Sequence, residues 1–175
     1  MNGNAPIYAD TAKSLGKQIA TAGYGLVYGG CDYGLMGHVS WAAHENNCEI
    51  TSIVEQEILD LKQFSVGPGK VVKVQNNRDF MDAINEHSTA FVILPGGFTT
   101  LEEILQCLRW SHETSCPKPI VVINVNGYYD SFKSFIENGI ACGIIDKTRN
   151  YPLFFCDTPA EAINAITKYC SNSLH

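Results

Sequence analysis

Five apolar residues in a row, Ala90-Phe-Val-Ile-Leu94, constrain this chain more than any other feature. A strand with one wet face alternates apolar and polar residues; a continuous run needs cover on both faces. Pro119 to Asn124 repeats the pattern, and further strand-like segments lie at 24–28, 50–54, 71–74 and 152–156. Between these runs the apolar period changes to three and four. Ala12, Leu15, Ile19 and Ala22 make residues 8–22 an amphipathic helix stopped by Gly23. The same period predicts helices over 34–46, 79–88, 99–114, 128–142 and 158–170. Asp157 or Thr158 caps the last of these, with Pro159 in its first turn. Residues 56–69 are polar and carry Gly67-Pro68-Gly69, and read as a loop.

Fully covered strands alternating with helices predict the α/β class, as a Rossmann-like doubly wound parallel sheet with helices on both faces. Residues 1–175 read as a single nucleotide-binding domain, without repeat or linker. Hydrophobic residues are 45% and charged residues 17%, which suits a packed chain. Twelve Lys and Arg against 18 Asp and Glu leave a net charge of −6, which speaks against nucleic-acid or membrane partners. No apolar stretch approaches the roughly 20 residues that span a bilayer, and no signal-peptide core is visible. The expected location is cytoplasmic. Seven cysteines without a C-x-x-C pair read as reduced, mostly buried thiols, and no metal site is expected.

Two glycine-rich junctions come off strands and open helices. The first runs Tyr28-Gly29-Gly30-Cys31-Asp32-Tyr33-Gly34-Leu35-Met36-Gly37, and the second Leu94-Pro95-Gly96-Gly97-Phe98-Thr99-Thr100-Leu101-Glu102-Glu103. Glycine there lets backbone N–H groups approach an anion, and the helix N-terminus adds a favourable field. Neither turn has the lysine of a P-loop or the spacing of the dinucleotide fingerprint. Glu102 and Glu103 each follow a threonine by three, so two overlapping capping boxes are possible. Leu101, Ile104, Leu105 and Leu108 form the expected core stripe of this helix. At about 100° per residue Glu103 points away from that stripe. Spacing leaves cap and catalyst both open.

The segment Pro95-Gly-Gly-Phe-Thr-Thr-Leu-Glu-Glu103 resembles the P-G-G-x-G-T-x-x-E signature of the Lonely Guy (LOG) family. Gly25-Leu-Val-Tyr-Gly-Gly30 and Gly34-Leu-Met-Gly37 are similar to its other glycine motif, and Lys118-Pro119 and Asn126-Gly-Tyr-Tyr-Asp130 to its later segments. The likeness covers roughly residues 3–170. It implies hydrolysis of the N-glycosidic bond of a purine nucleoside 5′-monophosphate, AMP or an N6-substituted AMP as in cytokinin formation, giving free base and ribose 5-phosphate. It also implies a homodimer and no cofactor. Glu103 falls on the family's catalytic glutamate. Gly29, Gly30, Gly34, Met36, Gly37, Gly96, Gly97, Phe98, Thr99, Thr100 and Glu102 fall on substrate-binding positions, and Arg109 is a further cation that could contact substrate.

Three departures from the family stand out. Thr99 replaces a glycine. Counting back from Ala90 without gaps, Phe80 and Met81 stand where the family has its catalytic Arg and a Lys. Arg78, two residues early, is the candidate replacement. Finally, the family opens with an apolar strand and a C-G-S-S turn, whereas this sequence begins at Met1-Asn2-Gly3-Asn4, past that point. The expectation is a sheet that closes up, borrows a strand, or belongs to a longer product. The alternative function is a catalytically impaired homologue that binds nucleotide or acts as a scaffold. A third reading is a carrier of a phosphorylated cofactor such as molybdopterin, which related folds serve.

Overall fold

The computed structural model describes residues 3–61, 65–148 and 151–172. The chain divides into two compact units, Met1–Ser88 and Thr89–His175. Each is a run of parallel strands joined by helices, as the covered strands require.

In the first unit α1 (Pro6–Thr21) leads to β1 (Leu26–Tyr28), α2 (Gly34–Glu45), β2 (Ile50–Glu55), the short α3 (Gln56–Leu59), β3 (Lys70–Val74) and α4 (Asn77–His87). Pro6 opens α1, where its missing N–H costs nothing. Ala22 proves to be its exposed C-cap rather than part of its buried face. The strands pair in parallel in the order β1-β2-β3, with Leu26 opposite Ile50 and Ile53 opposite Val72. β2 is central, and Ser52, Ile53 and Val54 are all buried in succession, so both its faces are covered. β3 is an edge, and Lys70 and Lys73 keep it soluble. α1 packs on α2, while α4 runs against all three strands.

In the second unit β4 (Phe91–Ile93) is followed by α5 (Phe98–Glu113), β5 (Ile120–Ile123), a 3₁₀ turn (Val125–Gly127), α6 (Asp130–Ala141), β6 (Leu153–Cys156) and α7 (Pro159–Asn172). The order is β4-β5-β6, again parallel. Ile120, Val121, Val122 and Ile123 of central β5 are all fully buried, as their unbroken apolar run predicts. Thr158 rather than Asp157 caps α7: its hydroxyl accepts from the Glu161 N–H at 3.2 Å. The expected doubly wound sheet is thus recorded as two halves, each with the connectivity of one mononucleotide-binding half. Ligand sites in such halves lie beyond the carboxyl ends of the strands, where both glycine turns are.

The cysteines differ from expectation. All seven are free, but only Cys31 and Cys107 are buried, and Cys116 and Cys142 are exposed. The latter two sit in a loop and at a helix end, where there is no core to take them.

Candidate functional site

β4 delivers Leu94-Pro95-Gly96-Gly97 directly into α5. Gly97 is the N-cap, with φ −93° and ψ −153°, and no side chain caps the helix. Thr99 and Thr100 therefore lie inside the first turn. Neither capping box forms, because the N-cap is Gly97, two residues before Thr99 and three before Thr100. The first N–H groups of α5 are left without a side-chain acceptor, the usual condition of an anion-receiving helix start. Gly96 is required by close approach, since a Cβ there would collide with the Thr100 hydroxyl and Cβ. Thr99 is helical and is not among the residues with positive φ, so a side chain at this position strains nothing.

Two consecutive tyrosines hold the turn from behind. The Tyr129 hydroxyl donates to the Leu94 carbonyl at 2.8 Å, and the Tyr128 hydroxyl to the Gly96 carbonyl at 2.6 Å. Their rings meet edge-on with centroids 4.9 Å apart. Asn124, just past β5, anchors the second of them: its side chain accepts from the Tyr129 N–H at 2.7 Å and donates to Asp130 at 2.7 Å. The intervening Asn126 and Gly127 take φ of 52° and 71° to make the turn. Burial pushes the Tyr129 phenol up to about 12, with Tyr128 and Glu103 adding and a backbone contact from Gly96 opposing. Nothing in the sequence assigns this pair to the site; its one signal there is Asn126-Gly127-Tyr128-Tyr129, a turn dipeptide followed by two hydroxyls.

Glu103 is half-buried, whereas Glu102 is exposed. The buried stripe of α5 is Ile104, Cys107 and Ser111, and Leu105 is 58% exposed, contrary to the expected stripe. With Cys107 in the core, Glu103 one turn before it lies beside that face, not opposite it. Burial raises its carboxyl above the ordinary value, and the neighbouring Glu102 raises it further. Cys107 is in turn pushed up to about 12, first by burial and then by Glu103. Arg109 is on the exposed side of α5 and pairs with Glu113 at 3.5 Å.

In the first unit the other glycine turn follows β1. Gly37 is fixed by close approach, because a Cβ there would strike the Asp32 carbonyl. Gly30 accepts from the Gly67 N–H at 2.8 Å, and the Pro68 carbonyl takes hydroxyl bonds from Tyr28 and Ser52 at 3.0 and 3.2 Å. Gly67-Pro68-Gly69, expected as a plain loop, is thus packed onto the strands. Phe80 of α4 lies against Gly29, with exposed Met36 beside it. α4 is regular from its cap: Asn76 accepts from the Asp79 N–H at 3.0 Å. Arg78 is exposed in that first turn, roughly 200° around the helix from Phe80. Among the described residues there is no group of three His, Cys, Asp or Glu able to hold a metal, and no helix long and apolar enough to cross a membrane.

Residues 36–166 match the family described as "Possible lysine decarboxylase". Over 168 residues the chain is 32% identical to the probable cytokinin riboside 5′-monophosphate phosphoribohydrolase LOGL2 of Oryza sativa subsp. japonica, covering 96% of this chain and 69% of that one. It is 32% identical over 167 residues to the cytokinin riboside 5′-monophosphate phosphoribohydrolase LOG3 of Arabidopsis thaliana, covering 95% and 78%. Among solved structures, the molybdenum cofactor carrier protein of Chlamydomonas reinhardtii superposes with a TM-score of 0.67 at 20% identity, over 96% of this chain and 91% of the other. The molybdenum cofactor binding protein of Rippkaea orientalis gives 0.70 at 18%, over 97% and 91%. At that identity the structural likeness speaks for the fold alone. The family match over three quarters of the sequence, the identity to relatives across nearly all of it, and the Gly-Gly turn with its half-buried glutamate place this chain in the Lonely Guy (LOG) family.

Proposed function

We propose that this chain hydrolyses the N-glycosidic bond of purine nucleoside 5′-monophosphates, AMP or N6-substituted AMP, to free base and ribose 5-phosphate. The observation that carries this is Glu103, half-buried with a raised pKa, about 9 Å along α5 from the uncapped helix start at Gly97. In this reading Gly96, Gly97, Phe98, Thr99 and Thr100 receive the phosphate through backbone N–H groups and the threonine hydroxyls. The bond between the anomeric carbon and the purine nitrogen breaks, and its electron pair leaves with the base, which takes up a proton. Glu103 stabilises the positive charge on the ribose and accepts a proton from the attacking water as its oxygen bonds to that carbon. A raised carboxyl value suits a group that must accept a proton from water and later release it.

The first glycine turn, with Gly29, Gly30, Gly34, Met36 and Gly37, is the second proposed substrate contact, and Glu102 and Arg109 are outer ones. Arg78 enters as a cation in the first turn of α4, in a supporting role. A homodimer, a cytoplasmic location and a reaction without cofactor belong to the same proposal. The test is release of base from AMP and from an N6-substituted AMP, compared with Glu103→Ala. Release by the unaltered chain that the variant lacks supports the reading; no release above that control rejects it.

A second reading is favoured by one observation. Phe80 puts a ring, not a cation, against Gly29. A nucleotide-binding homologue without turnover would show calorimetric binding of AMP and no base release. A molybdopterin carrier, the kind of protein named among the structural neighbours, would bind that phosphorylated cofactor in preference to AMP.

A further inference from the structure

We infer that Tyr128 is a positioning residue for the phosphate turn, holding the Gly96 carbonyl so that the Gly97 N–H is aimed outward at the start of α5. The inference rests on the proposed reading that this turn receives a phosphate. Its support is the geometry of one peptide group. The Gly96 carbonyl and the Gly97 N–H belong to the same planar unit and point in opposite directions. Fixing one therefore fixes the other. The Tyr128 hydroxyl fixes the carbonyl with a bond of 2.6 Å.

The rest of the turn leaves this the peptide that matters. Of the two peptides before it, Leu94–Pro95 has its carbonyl held by Tyr129 and no N–H to offer, and the Gly96 backbone of Pro95–Gly96 is engaged by the Tyr129 phenol. Gly97 itself has φ −93° and no neighbour within 4 Å of a Cβ built on it, so its outer side is open. An unrestrained Gly-Gly peptide can flip, because glycine visits both halves of φ space with little penalty. A flip would present a carbonyl to the anion in place of a donor. The tyrosine is itself preorganised. Its ring is braced edge-on by Tyr129, whose backbone Asn124 holds at 2.7 Å. Tyr128 is 46% exposed, so removing its hydroxyl leaves no buried group stranded on its own side.

The test is titration of inorganic phosphate onto the chain and onto Tyr128→Phe, following the Gly97 amide by NMR. The expected result is a saturable shift at Gly97 in the unaltered chain and binding about fivefold weaker in the variant, the worth of one neutral hydrogen bond. The melting temperature is expected to change by no more than about 2 °C. Equal affinities, or a Gly97 amide that does not respond in the unaltered chain, would overturn the inference. In turnover with AMP, the variant raises KM about fivefold and leaves kcat within about twofold. A fall in kcat at unchanged KM overturns it as well. Absence of base release in the unaltered chain rejects hydrolysis alone, because the phosphate titration still reads the turn.

Discussion

The ring of Phe80 lies over Gly29: a Cβ built on that glycine stands 3.4 Å from Phe80 Cζ, with Met36 Sδ at 3.7 Å. The α4 position nearest the first glycine turn thus carries an apolar side chain. Phe80→Arg puts a guanidinium where the ring now sits, beside a turn proposed to contact substrate. The expected outcome is a KM for AMP about tenfold lower, the scale of one charge-assisted bond to phosphate. Loss of the half-buried ring costs about 1–2 kcal/mol and a few degrees of melting temperature. Arg78→Ala, on the far side of the same helix, is expected to lower kcat/KM by less than about tenfold and to leave stability within about 0.5 kcal/mol. Steady-state kinetics and thermal melts on both variants check this.

The strands were legible wherever a run of apolar residues demanded cover on both faces, as at Ile120–Ile123. α3 escaped because four residues, Gln56–Leu59, are too few to show a period. The face of α5 was misjudged for a different reason. Leu105 and Cys107 both continue the helical spacing, and only packing decides that the thiol is 3% exposed and the leucine 58%. The Gly-Gly turn and Glu103 could be named from sequence. Tyr128 and Tyr129 could not be assigned to the turn, because they reach it from 32 and 35 residues away.

Gly97→Ala separates binding from folding. The glycine has an ordinary negative φ, and nothing lies within 4 Å of its added Cβ. Stability should fall by no more than about 1 kcal/mol, the difference between a glycine and an alanine at an N-cap. The methyl group nevertheless stands where an anion would approach the backbone. KM for AMP is expected to rise by about tenfold or more, roughly 1.4 kcal/mol of binding. A melt and a KM measured on the same preparation check both halves. By contrast, Gly37→Ala drives a Cβ into the Asp32 carbonyl and should cost about 2 kcal/mol with no ligand present.

The cysteines make a chemical prediction. Cys107 is buried, and its thiol is pushed up to about 12, so almost no thiolate exists at pH 8. Cys116 and Cys142 are exposed. Titration of the native chain with a chromogenic disulfide reagent should give a fast phase from Cys116 and Cys142, and Cys107 should react only after denaturant is added. Cys116→Ser and Cys142→Ser each remove one equivalent from that fast phase.

Glu103 links stability to pH in a direction fixed by its environment. Burial, then the charge of Glu102, raises its carboxyl above the ordinary 4.5. The folded chain therefore binds this proton more tightly than the unfolded chain does. The stability that follows is complete below 4.5 and is lost as pH rises through the raised value. At neutral pH the ionised Glu103 opposes folding, so Glu103→Gln should melt about 2 °C higher there, and the gain should vanish in melts run below pH 4.5. Glu102→Gln removes only the smaller cause and should lower the Glu103 pKa slightly. In turnover, kcat/KM for AMP should rise with pH through a pKa above 4.5, and Glu102→Gln should move that limb to lower pH. A stabilised Glu103→Gln that releases no base identifies this carboxylate as one kept for chemistry at the expense of folding.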